Sequence, residues 1–215
     1  MRSSGKLGKA GASQAGFTLA ELLIVVTIIM IVAGFSIPKF SREIDNSRLK
    51  GALQTVATAY QNARILATQN NTAYEVLASL PGIKPVSMCV DLDGDGNCGP
   101  TEPATPVPMQ VSLNNNGVPS GLDATTLGFA PLNTESSVMH NQQNQLIPGL
   151  GWNSLGQPCQ RASSTSPCSP AGWVQYLQFQ RTNGTILYGA VTVSPTGRVK
   201  TWTYISTSNG NGKWL

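Results

Sequence analysis

Phe17-Thr18-Leu19-Ala20-Glu21 opens the run FTLAELLIVVTIIMIVAGFSI (residues 17–37), whose only ionisable side chain is Glu21. About 20 apolar residues, rising ~1.5 Å each as a helix, match the hydrocarbon thickness of a bilayer. Upstream, residues 1–16 (MRSSGKLGKAGASQAG) carry Arg2, Lys6 and Lys9 and no acid. Such a basic flank stays cytoplasmic and sends the downstream chain across the membrane. Alone, the run reads as a signal anchor or a long secretory signal peptide, with Ala33-Gly34 passing for a small-residue cleavage site. Glu21 separates the readings. A carboxylate inside a membrane segment costs roughly 2.5–3.5 kcal/mol on insertion scales and normally has a partner.

The stretch Gly16-Phe17-Thr18-Leu19-Ala20-Glu21 resembles the prepilin peptidase signature of type IV pilins and type II secretion pseudopilins. The resemblance implies removal of residues 1–16 as a leader, with cleavage between Gly16 and Phe17 and N-methylation of Phe17. It also implies that Glu21 pairs with the terminal amine of a neighbouring subunit, so that two charges costly alone in lipid neutralise each other. Pro38 sits where pilin helices commonly bend; a proline removes a helix hydrogen bond and disfavours helix at Ile37. The implied partners are prepilin peptidase, other pilin or pseudopilin subunits and the bacterial inner membrane. The implied topology is single-pass, with the head in the periplasm or in an extracellular filament.

Downstream, Leu49, Leu53, Val56, Tyr60, Ala63 and Ala67 recur at alternating spacings of 4 and 3, one face of a helix. Phe40 and Ile44 extend the stripe upstream, while Arg42, Glu43, Asp45, Arg48, Lys50, Gln54 and Arg64 mostly lie off it. The pattern predicts an amphipathic helix from Ser41 to about Asn70, stopped at Asn70-Asn71. The small residues on its stripe predict close backing against a sheet.

After residue 71 the period changes. Strand-like runs fall at Tyr74–Ala78, Val86–Val90, Met109–Leu113, Val174–Gln180, Ile186–Val193 and Arg198–Ile205. Pro81-Gly82, Asn116-Gly117, Asn183-Gly184 and Thr196-Gly197 punctuate them as turns. The last three strands read as an antiparallel meander, whereas residues 119–172 are turn-rich and carry no clear period. The expected fold class is α+β: a long N-terminal helix, membrane-spanning over 17–38 and amphipathic over 39–71, packed on an antiparallel β-sheet head over 72–215. That order is pilin-like. Within the superfamily, Ala63-Arg64-Ile65-Leu66-Ala67-Thr68-Gln69-Asn70, Gly151-Trp152-Asn153-Ser154-Leu155-Gly156-Gln157-Pro158 and Val193-Ser194-Pro195-Thr196-Gly197-Arg198-Val199 resemble the helix end, a Gly-x-Pro hairpin and the final turn of GspH/FimT-type minor subunits.

Cys89 and Cys98 enclose eight residues, as do Cys159 and Cys168. Four cysteines allow three pairings. Their even number, matched spacing and an extracytoplasmic head favour Cys89–Cys98 and Cys159–Cys168. Inside the first loop lies Asp91-Leu92-Asp93-Gly94-Asp95-Gly96-Asn97, followed by Glu102, a match to D-x-D-x-D-G-x5-E. Asp91, Asp93, Asp95 and Glu102 would be the side-chain ligands of a Ca2+ ion, which takes six to eight oxygens. The alternative is a solvated Asp/Gly turn.

Composition sets the frame. Of 215 residues only 11% are charged, where a globular domain carries about 25%, and Ser, Thr, Asn and Gln make up 67. No acid follows residue 135, while Arg161, Arg181, Arg198, Lys200 and Lys213 do. Arg198 and Lys200 alternate on one predicted strand, continued by Trp202 and Tyr204. Basic and aromatic side chains on one face suit phosphate contact and base stacking, and Gly197-Arg198-Val199-Lys200 resembles the basic ending of DNA-uptake pilins of the FimT type. Lys, however, cannot make the bidentate phosphate fork of Arg. The chain has one His and no G-x-S-x-G, H-E-x-x-H or Cys/His pair. No enzyme chemistry is therefore expected; the expected role is a structural subunit.

Overall fold

A computed structural model describes residues 17–78, 87–96, 98–108, 110–113, 117–129, 150–160, 167–181, 183–206 and 212–215, with the side chains of 35–39 also left undescribed. The chain divides into two compact units, Met1–Glu43 and Ile44–Leu215. Helix α1 (Leu19–Gln69) contributes to both. Its backbone continues helical through Pro38, so the proline does not end the helix as its chemistry alone suggests. One missing N–H removes a single rung, and the helical backbone resumes past it.

In the first unit the apolar side chains from Leu19 to Val32 are exposed. Among the described residues no helix is long and apolar enough to cross a membrane. The described side chains of the run stop at Gly34, short of the Ile37 that closes it in the sequence.

In the second unit α1 becomes the spine of a core. Leu49, Leu53, Val56, Tyr60, Ala63 and Ala67 are all buried, joined by Ala52 and Ala59. Phe40 and Ile44 are not part of that stripe: they are 70% and 48% exposed. The helix ends at Gln69, and Asn71 takes a positive φ of 50°, a conformation Asn tolerates better than most side chains.

Two antiparallel sheets pack with it. The first contains β1 (Tyr74–Ala78), β2 (Ser87–Asp91), β3 (Ala104–Pro106), β5 (Leu150–Trp152), β6 (Pro158–Gln160) and β7 (Ser169–Pro170), in the order β3-β2-β1-β5-β6-β7. The second contains β4 (Val111–Ser112), β8 (Trp173–Gln180), β9 (Ile186–Val193), β10 (Val199–Ile205) and β11 (Lys213–Trp214), in the order β11-β10-β9-β8-β4. The meander β8-β9-β10 is the antiparallel run that its two glycine turns foretell. The expected strand Met109–Leu113 shrinks to Val111–Ser112, and Met109, like Pro81-Gly82, lies outside the described residues. The unassigned stretch holds β5, β6, β7 and a short helix, α2 (Ala124–Leu127). Residues 130–149 and 161–166 of it lie outside the described residues.

One apolar cluster unites α1 with both sheets through Val76, Val90, Trp152, Trp173, Leu177 and Val191. Gly189 lets the helix approach: a Cβ there would stand 2.9 Å from Leu53 Cδ1. At the helix's entry to the head, Asp45 pairs with Arg181 Nε just past β8 at 3.3 Å. Arg48 donates to Gln110 Oε1 at 3.0 Å. The far face of the second sheet carries a smaller cluster of Leu122, Val174, Ala190 and Trp214, ringed by Tyr176, Tyr188, Trp202 and Tyr204.

Candidate functional site

The first site is the start of α1. Gly16 lies outside the described residues; Phe17 is 84% exposed. Thr18 and Glu21 form a reciprocal cap. The Glu21 N–H donates to Thr18 Oγ1 at 3.2 Å, and the Thr18 N–H donates to Glu21 Oε2 at 3.4 Å. This is the S/T-x-x-E capping box, which satisfies two of the backbone donors left open at a helix start. A carboxylate in the first turn also faces the positive end of the helix dipole. Glu21 therefore has a partner within its own chain, three residues away. Pro38 lies well along the helix, its side chain outside the described residues.

The second site is the acidic loop. Both disulfides are closed as Cys89–Cys98 and Cys159–Cys168. The first leaves β2 at Cys89 and pins the loop after it; the second staples β6 to the start of β7. Carboxylate oxygens of Asp91, Asp93 and Asp95 lie within 4.8 Å of one another, but Glu102 is not part of that group. Its Oε1 accepts the Leu92 N–H at 2.7 Å and its Oε2 accepts the Gly99 N–H at 2.7 Å. Asp91 works the same way, accepting the Gly94 N–H at 2.7 Å and the Gly96 N–H at 3.0 Å. Glu102, the expected closing calcium ligand, closes the loop here by capping two amides. Burial raises the Asp91 pKa above the usual aspartate value; the Gly96 and Gly94 amides oppose the shift, and the Glu102 and Asp93 charges add to it.

The third site is the outer face of the second sheet. Arg198 and Lys200 line one recess there, as their alternation predicts. Trp202 belongs to it, but its ring is not free: Lys200 Nζ stands 3.3 Å from the ring centroid, and the indole N–H donates to Thr192 Oγ1 at 3.0 Å. Tyr204 packs edge-on against Trp214 with centroids 5.3 Å apart. The aromatic side chains are thus chiefly a packed wall, and the two cations are its accessible chemistry.

Residues 11–37 match the family described as the prokaryotic N-terminal methylation motif. Neither a curated protein nor a solved structure matches the chain. The match spans the cap, Phe17 and the apolar run through Ile37. A methylation motif of this kind suggests a type IV pilin-like prepilin that is processed by its peptidase and is membrane-anchored or pilus-associated. The helix followed by antiparallel sheets is consistent with an α+β, pilin-like fold.

In the head, one structural link has no counterpart among the sequence motifs. The Arg64 guanidinium lies 5.3 Å over the Trp152 ring and donates to the Gly197 carbonyl at 3.1 Å. It thereby ties the end of α1 to β5 of the first sheet and to the β9–β10 turn of the second. Gly197 itself has φ 85°, and a Cβ there would stand 3.2 Å from both Arg64 Cζ and Trp152 Cζ3. The Thr196-Gly197 turn signal marks the place, but nothing local marks its partners.

Proposed function

We propose that this chain is a minor pilin or pseudopilin, a non-catalytic structural subunit of a type II secretion pseudopilus or a type IV pilus, closest to the GspH/FimT type. The N-terminal methylation motif at residues 11–37 carries the reading. Prepilin peptidase cuts between Gly16 and Phe17, Phe17 is methylated, and residues 17–38 hold the subunit in the inner membrane until it assembles with other subunits. Glu21 has two roles in succession: it caps its own helix before assembly and meets a neighbour's terminal amine after it. The head then stands in the periplasm or on an extracellular filament, where closed disulfides and an uncharged polar surface suit it.

Intact-mass measurement of the membrane-associated protein tests processing, with the expected species starting at a methylated Phe17. Glu21→Ala is expected to insert and be cut normally but to drop out of purified filaments; normal incorporation of Glu21→Ala would refute the assembly role. A second reading, DNA capture by the basic face, is favoured by Arg198 and Lys200 sharing one recess. It predicts a salt-sensitive mobility shift that the Arg198→Ala, Lys200→Ala double variant loses.

A further inference from the structure

β10 pairs with β9 from Val199, opposite Val193, to Thr203, opposite Gly189. Its other edge is paired only in part. β11 lies opposite Tyr204 and Ile205, and Leu215 exchanges both backbone hydrogen bonds with Thr203, at 2.9 and 3.0 Å. Hydrogen-bonding direction alternates along an antiparallel strand, so Thr201 and Val199 turn their N–H and C=O to the same side as Thr203. Among the described residues no strand lies opposite them there. Beyond them Gly197 is engaged: its N–H donates to the Ser194 carbonyl at 2.8 Å and its own carbonyl accepts Arg64. The open edge therefore runs from Val199 to Thr201, closed off by Gly197 at one end and by Thr203 at the other.

This edge borders a groove. Val199 packs on the main core, so the side chains of Val199, Thr201 and Thr203 share the face turned to α1. Two recesses lie between β10 and the helix. One, of about 220 Å³, is where Lys50, Leu53 and Gln54 meet Thr201 and Thr203. The other, of about 520 Å³, is where Arg64 and Ile65 meet Gly197 and Val199. Each holds a cation, and among the described residues no acid lines either one. The ion pairs of the described residues join only Asp45, Arg48 and Arg181, so Lys50 and Arg64 have no carboxylate partner among them.

A bare strand edge is a template for another chain. A second copy of this chain suits it poorly. The two-fold register that engages both Val199 and Thr201 sets Lys200 directly opposite its own counterpart, and like charges so placed are destabilising. The two cations of the groove call for a segment of the opposite charge.

We propose that the open edge of β10 takes up an extended acidic segment of another protein by strand addition, antiparallel to β10 and in line with β11. The residues opposite Thr201 and Val199 exchange backbone hydrogen bonds with them and point into the groove. The inward positions are then an acid beside Lys50, an apolar residue over the half-exposed Ile65 and an acid beside Arg64. Neither cleavage after Gly16 nor filament assembly is needed for this binding.

The test uses the full chain in detergent at about 0.15 M salt, with fluorophore-labelled acetyl-Thr-Glu-Thr-Val-Thr-Glu-amide read by anisotropy. A contact this short should give a Kd of roughly 0.1–1 mM. N-methylation of the first Glu and of Val, whose amides face β10, should weaken binding roughly tenfold or more. N-methylation of the Thr between them, whose N–H points away, should change it by less than about twofold. Thr201→Pro removes the edge donor and leaves the β9 ladder intact, so it should abolish binding. Lys50→Gln should bind roughly threefold more weakly, while Lys200→Gln, on the opposite face, should stay within about twofold. Equal binding of the two N-methylated peptides overturns the proposal, as does equal binding of a peptide with Lys for both Glu. So does a concentration-dependent dimer of the chain that Thr201→Pro abolishes, or no saturation by about 5 mM peptide. None of these results touches the processed, methylated Phe17 on which the assembly reading stands.

Discussion

Replacing Glu102 by Gln asks whether the acidic loop is held by its own backbone or by a metal. The carboxylate is 8% exposed and accepts two amide hydrogens, from Leu92 and Gly99, each at 2.7 Å. Glutamine keeps one acceptor oxygen and turns an NH2 donor toward the other amide, so one bond is lost outright and the survivor loses its charge. Hydrogen bonds to charged groups contribute about 1.5–3 kcal/mol each, which sets the loss at roughly 2–4 kcal/mol. Removing the charge also relieves its repulsion of Asp91, which favours the lower end of that range. The Cys89–Cys98 bridge is closed in folded and unfolded chains alike, so it cancels. For a chain of this size about 1 kcal/mol moves the midpoint by ~2–4 °C, and a fall of roughly 4–16 °C results, the lower half being favoured. Thermal unfolding by circular dichroism, run once with chelator and once with excess calcium, reads it. The deficit should be full with chelator present. A Glu102→Gln midpoint within about 2 °C of wild type under chelator, or a deficit appearing only with calcium, would refute the capping account.

Asp91 makes the loop sensitive to acid in a defined direction. Its folded pKa lies above the ordinary 3.8, so between the two values the folded chain holds more protons than the unfolded one, and stability falls as pH rises through that window. The burial penalty is fully present above the raised pKa and relieved below the ordinary one. Asp91→Asn should remove this part of the pH profile, measured as the wild-type minus variant difference in midpoint from pH 3.8 upward. At Gly197, alanine must adopt φ 85° and meet Arg64 and Trp152 at 3.2 Å. About 1–2 kcal/mol of backbone strain plus the contact is expected. Gly184→Ala supplies the control: φ is 82° but a Cβ there meets nothing within 4 Å. Gly197→Ala should therefore be the less stable of the two in urea, and equal midpoints would mean that Arg64 and Trp152 do not enforce this turn.

Legibility in the sequence tracks how local each signal is. The stripe from Leu49 to Ala67 is a one-dimensional pattern, and its burial needs only a sheet to pack on. Tyr74–Ala78 and Ile186–Val193 form strands over the bounds their patterns set, because alternation and flanking turns are contained within each run. β5, β6 and β7 are two or three residues long and contain Gly151, Pro158 and Pro170. They pair because Glu75 and Cys159 lie on either side of Gly151, a relation that on the Glu75 side joins residues far apart in the chain. Gly151 is required there: a Cβ would collide with the Tyr74 carbonyl oxygen and stand 2.9 Å from Glu75 Cα. The two glutamates show the same rule at the candidate sites. The prepilin resemblance marks Glu21 as an assembly residue and spacing marks Glu102 as a ligand; in the structure each accepts backbone amides within its own segment. A spacing motif fixes which groups can be neighbours but not which donor reaches the carboxylate first. At Glu21 the two readings coexist, since a capping carboxylate at an exposed helix start still offers lone pairs to a neighbour's amine. At Glu102 both oxygens of a buried carboxylate each accept one backbone amide, so the side chain serves as a cap while each oxygen keeps a second lone pair.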